Sequence, residues 1–328
     1  MKKIIALFIL CFVLLYSNVT AQRINFLSDS ERLAMLEPQK GKIDVVIDSD
    51  TYNEIDDQFA LVYALRSNEK LNIKAIYAAP FFNEKSSGPA DGMEKSFQEV
   101  QRVLKLMELE GSALAHRGSA GFLNDSITPL ESEAAKHLIE FSKNYSKENP
   151  LYVLALGAIT NVASAILIDP SLTSRIVVVW LGGNGYNWPS AMEFNCQQDM
   201  HATRIIFNSG VPFVQITVMP VVTHLTTTIP EMESYLAGKG KVADYLLTIF
   251  KDYHPESQVP GYAKIIWDIG GVAWLVNDKW VPTEIRKSPV FTKDGKYSYS
   301  PERHFIRSAY YVDRKMIFED FFKKVMID

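Results

Sequence analysis

Cysteine is nearly absent from this chain. Only Cys11 and Cys196 occur in 328 residues, and Cys11 lies inside an apolar leader. Once the leader is removed Cys196 stands alone, so no internal disulfide can form. The fold must then rest on its core, or on a core helped by a metal. An excess of positive charge is also missing. Lys and Arg number 34 against 38 Asp and Glu, which disfavours nucleic acid as a partner. No segment after the leader is apolar enough to cross a membrane. Neither an internal repeat nor a low-complexity linker is found, which sets repeat architectures aside.

The leader itself reads MKKIIALFILCFVLLYSNVTAQ. Lys2 and Lys3 precede an apolar run, and Val19 and Ala21 stand at the small-residue positions of a cleavage site before Gln22. This is the pattern of a secretory signal peptide. An uncleaved anchor is the alternative, although the apolar core is short for a span. Residues 1–21 are expected to leave and residues 22–328 to form one domain, secreted or periplasmic and free of the membrane. Without Lys2 and Lys3, 32 basic residues face 38 acidic ones, a net charge of −6.

The composition, 47% hydrophobic and 22% charged, is that of a globular protein with ample core. Strand-like runs at 43–48, 73–79, 151–156, 176–182 and 212–218 alternate with helix-like runs at 56–65, 93–109, 132–145, 160–168 and 199–208. Runs such as IVVVWL are apolar on successive residues, as when helices cover both faces of a sheet. The alternation predicts an α/β fold with an open, mostly parallel central sheet flanked by helices. Ligands on such sheets bind beyond the carboxyl ends of the strands. Residues 22–40 read as an irregular or helical lead-in and 221–277 as largely helical. Residues 281–315 read as a small strand and hairpin region, and 316–325 as a closing helix.

At the carboxyl end of the first strand lies DVVIDSDTYNEIDDQFALVYAL, residues 44–65. Asp48, Asp50, Glu54, Asp56 and Asp57 crowd together there. Like charges this close repel, and need a cation, a ligand or water to stay ionised together. Helix capping explains one or two of them, since Asp56 and Asp57 open the next helix. An EF-hand loop starting at Asp48 needs Gly at its sixth position and Glu at its twelfth. Asn53 and Phe59 stand there instead. An aspartyl-phosphate phosphatase needs Asp-x-Asp after a strand, which Asp48 and Asp50 supply. Tyr52 departs from its usual Thr or Val, and such an enzyme would depend on magnesium.

The same stretch resembles the calcium-binding signature of the inosine-uridine preferring nucleoside hydrolase family, Asp-Thr-Asp-Pro-Gly-x-Asp-Asp-Ala after an apolar strand. Here the loop between Asp50 and Asp56 is two residues longer, and TYNE replaces Pro-Gly. YVLALGAITNVASAI at 152–166 resembles the family's Leu-Gly-Pro-Leu-Thr-Asn-Ile-Ala turn. VVVWLGGNGYNWPSAMEFNCQQD at 177–199 resembles its Met-Gly-Gly segment followed by Glu-Phe-Asn. VMPVVTHLTTT at 218–228 is similar to its Pro-Leu-Asp-Val-Thr-His turn, and IIWDIGGVAWLV at 265–276 to its His-Asp-x-x-Ala-Val-Ala helix start.

The resemblance implies a three-layer, Rossmann-like fold and hydrolysis of the N-glycosidic bond of a nucleoside or related N-riboside. It places a calcium ion on Asp50, Asp57, Asp268 and the Leu156 carbonyl, with Asp50 as general base toward water. It assigns the sugar to Asp56, Asn83, Asn187, Glu193, Asn195 and Asp268, and an orienting role to Asp48. Where the family often carries a His as acid for the departing base, this chain has Trp267. An indole cannot supply that proton but can stack on a base. His224, His254 and Tyr262 are the candidate substitutes. Tyr186, Trp188 and Trp267 are candidates for an aromatic wall, and Glu54 is either a ligand or a solvated loop acid. The expected partner is a small nucleoside, and a homo-oligomer is left open. A secreted nucleoside- or ribose-binding protein without turnover and a calcium-stabilised structural domain are the competing readings.

Overall fold

Strands that are apolar on successive residues become the interior of one sheet. The computed structural model describes residues 27–253 and 259–326. The expected leader and His254 lie outside the described residues. Eight strands form the main sheet: β1 (Ile43–Ser49), β2 (Leu71–Ala78), β3 (Ala115–Arg117), β4 (Leu151–Ala155), β5 (Ile176–Leu181), β6 (Phe213–Ile216), β9 (Thr283–Lys287) and β12 (Phe305–Ala309). Their order is β3-β2-β1-β4-β5-β6-β12-β9. All neighbours are parallel except β12 with β9. Two short pairs stand apart, β7 (Thr226–Thr227) with β8 (Lys264–Ile265), and β10 (Val290–Phe291) with β11 (Tyr297–Ser298).

The helices are α1 (Asp29–Met35), α2 (Asp56–Arg66), α3 (Pro89–Leu106), α4 (Glu133–Ser142), α5 (Thr160–Ile168), α6 (Phe194–Gln198), α7 (Met200–Ser209), α8 (Ile229–Leu236), α9 (Lys241–Asp252), α10 (Ile269–Val276) and α11 (Arg314–Val325). They cover both faces of the sheet, giving the expected three layers. One core gathers Val45, Ile47, Phe59, Leu61, Ile269 and Phe321, and the other Val46, Val153, Val178, Trp180 and Phe207. Alternate residues of β1 thus feed opposite cores, as the two-residue period of a strand requires. Among the described residues no helix is long and apolar enough to cross a membrane.

Two parts of the sheet differ from the sequence expectation. β3 has three residues and carries no periodic signal. The region at 281–315 does more than form a hairpin: β9 and β12 extend the main sheet at its far edge, and only β10 and β11 form a separate ribbon.

What positions a site is the strand order. From β1 the chain builds outward through β2 and β3 on one side, and later through β4, β5 and β6 on the other. The carboxyl ends of β1 and β4 therefore flank a topological switch point, where the connections diverge and leave a crevice. The acidic stretch leaves β1 there. The helix after it, α2, is buried from Asp56 through Ala64, so its acids cannot turn away to solvent. Phe59 anchors this helix, stacked on Phe321 at 5.8 Å and edge-on to Phe250 at 6.3 Å. Phe59→Ala removes this buried ring, and we expect it to lower the stability measured by urea unfolding by about 3–5 kcal/mol.

Candidate active site

A cavity of about 250 Å³ opens beyond the strand ends. Asp50, Asn53, Glu54, Asp56, Asp57, Glu193, Asn195 and Asp268 form its polar lining, and Leu156, Leu181, Phe194, Val218 and Trp267 its apolar lining. These residues come from six places in the chain: the β1–α2 loop, the ends of β4, β5 and β6, the start of α6, and the start of α10.

The acids are buried. Asp50, Asp56, Asp57 and Asp268 are 1%, 4%, 2% and 3% exposed. Asp56, Asp57 and Asp268 each offer a carboxylate oxygen, and the three atoms lie within 4.8 Å of one another. Burial is the largest cause that raises every one of their pKa values. It is reinforced for Asp50 and Asp268 by the charges of Asp57 and Asp56, which hold both well above the usual carboxylate range. Asp57 is pushed up to about 7 by burial and by Asp56, against a hydrogen bond from Ser49 Oγ to its Oδ1 at 2.5 Å. Asp56 is pushed up by burial and reaches only about 6, because Lys264 is close by. The ammonium of Lys264 is drawn down by burial, but Asp56 and Glu54 more than offset this and hold it above its ordinary value. Lys264 is ion-paired with Glu54.

Asp50 Oδ2 is buried and has no hydrogen-bond partner among the described residues. A lone carboxylate oxygen without a donor is costly in a dry site. The donor set is all hard oxygen, and together with the triad of carboxylates it fits a metal ion of the oxygen-binding kind. The backbone admits Asp50 only because residue 157 is glycine: a Cβ there would lie 2.6 Å from Asp50 Cγ and Oδ1.

Around the acids, hydrogen bonds fix the frame. Asp48 is buried and does not line the cavity. Its Oδ1 accepts from Asn161 Nδ2 at 2.8 Å, and its carbonyl accepts from Leu156 N–H at 2.8 Å. Burial, opposed by that Asn161 bond, pushes Asp48 up to about 7. Glu193 caps α6, with Oε1 accepting from the N–H groups of Gly183 and Cys196 at 2.9 Å and Oε2 from Asn195 N–H at 2.8 Å. Asn195 Nδ2 donates to the carbonyls of Leu156 at 2.7 Å and Leu181 at 2.9 Å. It ties β4 to β5, and its Oδ1 is the end left for a ligand. A carbonyl has a second lone pair, so the Leu156 oxygen keeps an acceptor site beyond Asn195.

Several sequence candidates are not brought to this cavity. Asn83 stands behind Asn53, donating to Asn53 Oδ1 at 2.6 Å. Asn187 is exposed in the loop after β5; the buried asparagine of that loop is Asn184, which donates to the carbonyls of Ser190 and Met192. His224 is exposed in a short turn, its ring 6.1 Å from that of Tyr311. Tyr262 does not line the cavity, and Trp188 is 40% exposed. Tyr186 is half-buried away from the cavity, stacked on Tyr297 at 4.6 Å and hydrogen-bonded to Gln215. Of the three candidate wall aromatics only Trp267 reaches the cavity. Sequence reasoning passed over Asn53, Asn161, Phe194 and Lys264. Lys264 carries one usable signal, a lone charge in the run AKIIW.

The model of the inosine-uridine preferring nucleoside hydrolase family matches residues 45–304. Two curated relatives are pyrimidine-specific ribonucleoside hydrolases RihA. The one from Salmonella enteritidis is 29% identical over 281 residues, covering 77% of this chain and 86% of its own. The one from Escherichia coli O8 is 29% identical over 270 residues, covering 74% and 83%. Among solved structures, a plant nucleoside hydrolase, PpNRh1, superposes with a TM-score of 0.71 at 19% identity over 87% of this chain and 99% of its own. A purine-preferring ribonucleoside hydrolase from Gardnerella vaginalis gives 0.71 at 20% identity over 86% and 98%. These two share the fold. The match to the family model spans the acidic loop and Asp268 alike, and with it the chain belongs to the inosine-uridine preferring nucleoside hydrolases, enzymes that hydrolyse the N-glycosidic bond of nucleosides.

Proposed function

We propose that this chain is a calcium-dependent ribonucleoside hydrolase, exported by its leader to act outside the cytoplasm. The observation that carries the metal is the buried carboxylate triad of Asp56, Asp57 and Asp268, with Asp50 and Leu156 lining the same cavity and one Asp50 oxygen unpartnered. Calcium takes 6–8 oxygens, and these residues would hold it, with water and substrate hydroxyls completing its shell. Bound there, it supplies positive charge that neutralises the carboxylates and acidifies a neighbouring water.

The chain's own groups then divide the work. Asp50 orients the attacking water and takes its proton as general base. Water adds to the anomeric carbon as the bond to the base nitrogen breaks, through an oxocarbenium-like transition state. Asp56 and Glu193 grip sugar hydroxyls and fix the ring. Trp267 and Phe194 flank the base on the apolar side. None of the described histidines lines the cavity, so the departing base takes its proton from water at the open mouth. Asp48 acts from behind, holding the β1 and β4 ends in register. The names of the curated relatives make pyrimidine ribonucleosides the first substrates to test.

Asp50→Asn is expected to lower base release from a cleaved ribonucleoside by about 10²–10⁴-fold. In chelator its melting temperature should not fall, because an amide at residue 50 relieves the repulsion from Asp57 and Asp56. Full activity in this variant would sink the mechanism.

The pH dependence has a definite sign. In the metal-free fold Asp56 and Asp57 titrate near about 6 and about 7, above their ordinary 3.8. A raised carboxylate pKa stabilises the fold below pH 4, and that contribution is lost as pH rises through 7. Melting temperature in chelator should therefore fall from pH 5 to pH 8. Calcium must displace these protons, so the stabilisation it confers should grow over the same range. At 100 times Kd it should reach about 2.7 kcal/mol. A melting curve indifferent to chelator at pH 8 would remove the metal.

A further inference from the structure

The loop at 51–54 is where this chain departs from its family's pattern, and two side-chain clamps make it a built wall. On one side Asn83 Nδ2 donates to Asn53 Oδ1 at 2.6 Å and to the Asn53 carbonyl at 3.4 Å. On the other, Lys264, 9% exposed, pairs with Glu54. The turn between them is closed by Asn53 N–H to the Asp50 carbonyl at 2.7 Å and by Ser49 and Thr51 hydroxyls 2.6 Å apart.

These bonds also decide which way the amides face. The backbone N–H of Lys85 can only donate, and it meets Asn83 Oδ1 at 2.8 Å. This leaves Asn83 Nδ2 pointing at Asn53, whose carbonyl can only accept. Asn53 must then present Oδ1 to Asn83. Its own Nδ2 hydrogens have no partner among the described residues, and Asn53 lines the cavity three residues from Asp56.

We infer that Asn53 contacts substrate and, together with Asp56, recognises a vicinal diol of the sugar. An ionised carboxylate only accepts and an amide NH₂ only donates, while each hydroxyl of a diol does both. The two oxygens of Asp56 take the two hydroxyl protons, and Asn53 Nδ2 donates to the oxygen of the 2-hydroxyl. Asn83 is then a positioning residue that aims the Asn53 amide, and Lys264 one that holds the loop through Glu54. The assignment rests on the nucleoside reading for the nature of the ligand.

The test measures binding, in calcium, of a C-riboside, whose carbon–carbon glycosidic bond cannot be hydrolysed, and of its 2-deoxy counterpart. Wild type should prefer the riboside. N53A should weaken riboside binding about tenfold and leave the deoxy compound unchanged. N83D should do the same, because an aspartate has no N–H to give and draws the Asn53 amide away from the cavity. Adding N83D to N53A should produce no further loss. If N53A does not fold, N83D alone tests the riboside-to-deoxyriboside ratio. Equal weakening of both ligands, no weakening, additive losses, or a wild type that binds the two alike or neither would each overturn the assignment. A wild type that discriminates the two C-ribosides but cleaves no N-riboside overturns the hydrolytic reading and leaves Asn53 in place.

Discussion

Asp50, Asp56, Asp57 and Asp268 bring four carboxylates into one cavity at no more than 4% exposure. Burial opposes the ionisation of each, and their mutual repulsion opposes it further. A fold can answer this in two ways. It can keep protons on some of the acids, which is what the raised pKa values describe, or it can admit a cation. The first leaves buried oxygens poorly partnered, as at Asp50 Oδ2. The second satisfies the same oxygens and removes the repulsion at once. Holding the acids together without a cation is a standing destabilisation, so the surrounding structure must over-determine their positions.

That over-determination is visible in the frame. Asp48 uses its carbonyl on Leu156 and its side chain on Asn161, so β1 and α5 move as one. Asn195 bridges the last carbonyls of β4 and β5. Glu193 accepts three backbone N–H groups and cannot swing. Below them α2 and α10 are buried along almost their whole length, so the acids at their first turns are carried on rigid supports. The apolar core beneath α2 thus does two things. It offsets the unfavourable electrostatics, and it fixes the carboxylates to the tolerance that chemistry requires.

Much of this was legible in the chain. Strand and helix alternation and the acids after β1 follow from local patterns, which survive folding, and the distant Asp268 follows from the family resemblance. What escaped depends on contacts between distant segments. β9 and β12 extend the sheet because β6 leaves an open edge, which no window around residue 285 or 307 records. Asn83 follows β2 where a sugar ligand was expected, yet the longer loop at 51–54 lies in front of it and Asn53 takes the cavity side. Tyr186 reads as a loop aromatic, but the β10–β11 ribbon brings Tyr297 over it. His224 is turned outward by a short helical turn whose inward residue is Val222, which is fully buried. In each case the residue type was informative and its direction was not.

The cavity also has a polarity that bears on how a ligand lies in it. Asp50, Asn53, Asp56 and Asp57 line it from the end of β1. Leu181, Phe194, Val218 and Trp267 occupy the side toward β5, β6 and α10. Trp267 lines the cavity and directly precedes Asp268, so it stands where the two halves meet. A nucleoside is itself divided in this way, with a hydroxyl-rich sugar and a flat, largely apolar base. Only one orientation matches both halves, because reversal would bury hydroxyls against Leu181 and Val218 without partners. The bond between sugar and base then crosses the boundary. There the carboxylates favour the positive charge that develops on the sugar ring as the bond breaks. The apolar side offers contact area and no proton. A site of this kind gains most of its advantage by stabilising the sugar cation and comparatively little by activating the base. Such a site tolerates exchange of a histidine for Trp267, provided that the base leaves readily and the acids stay where the frame holds them.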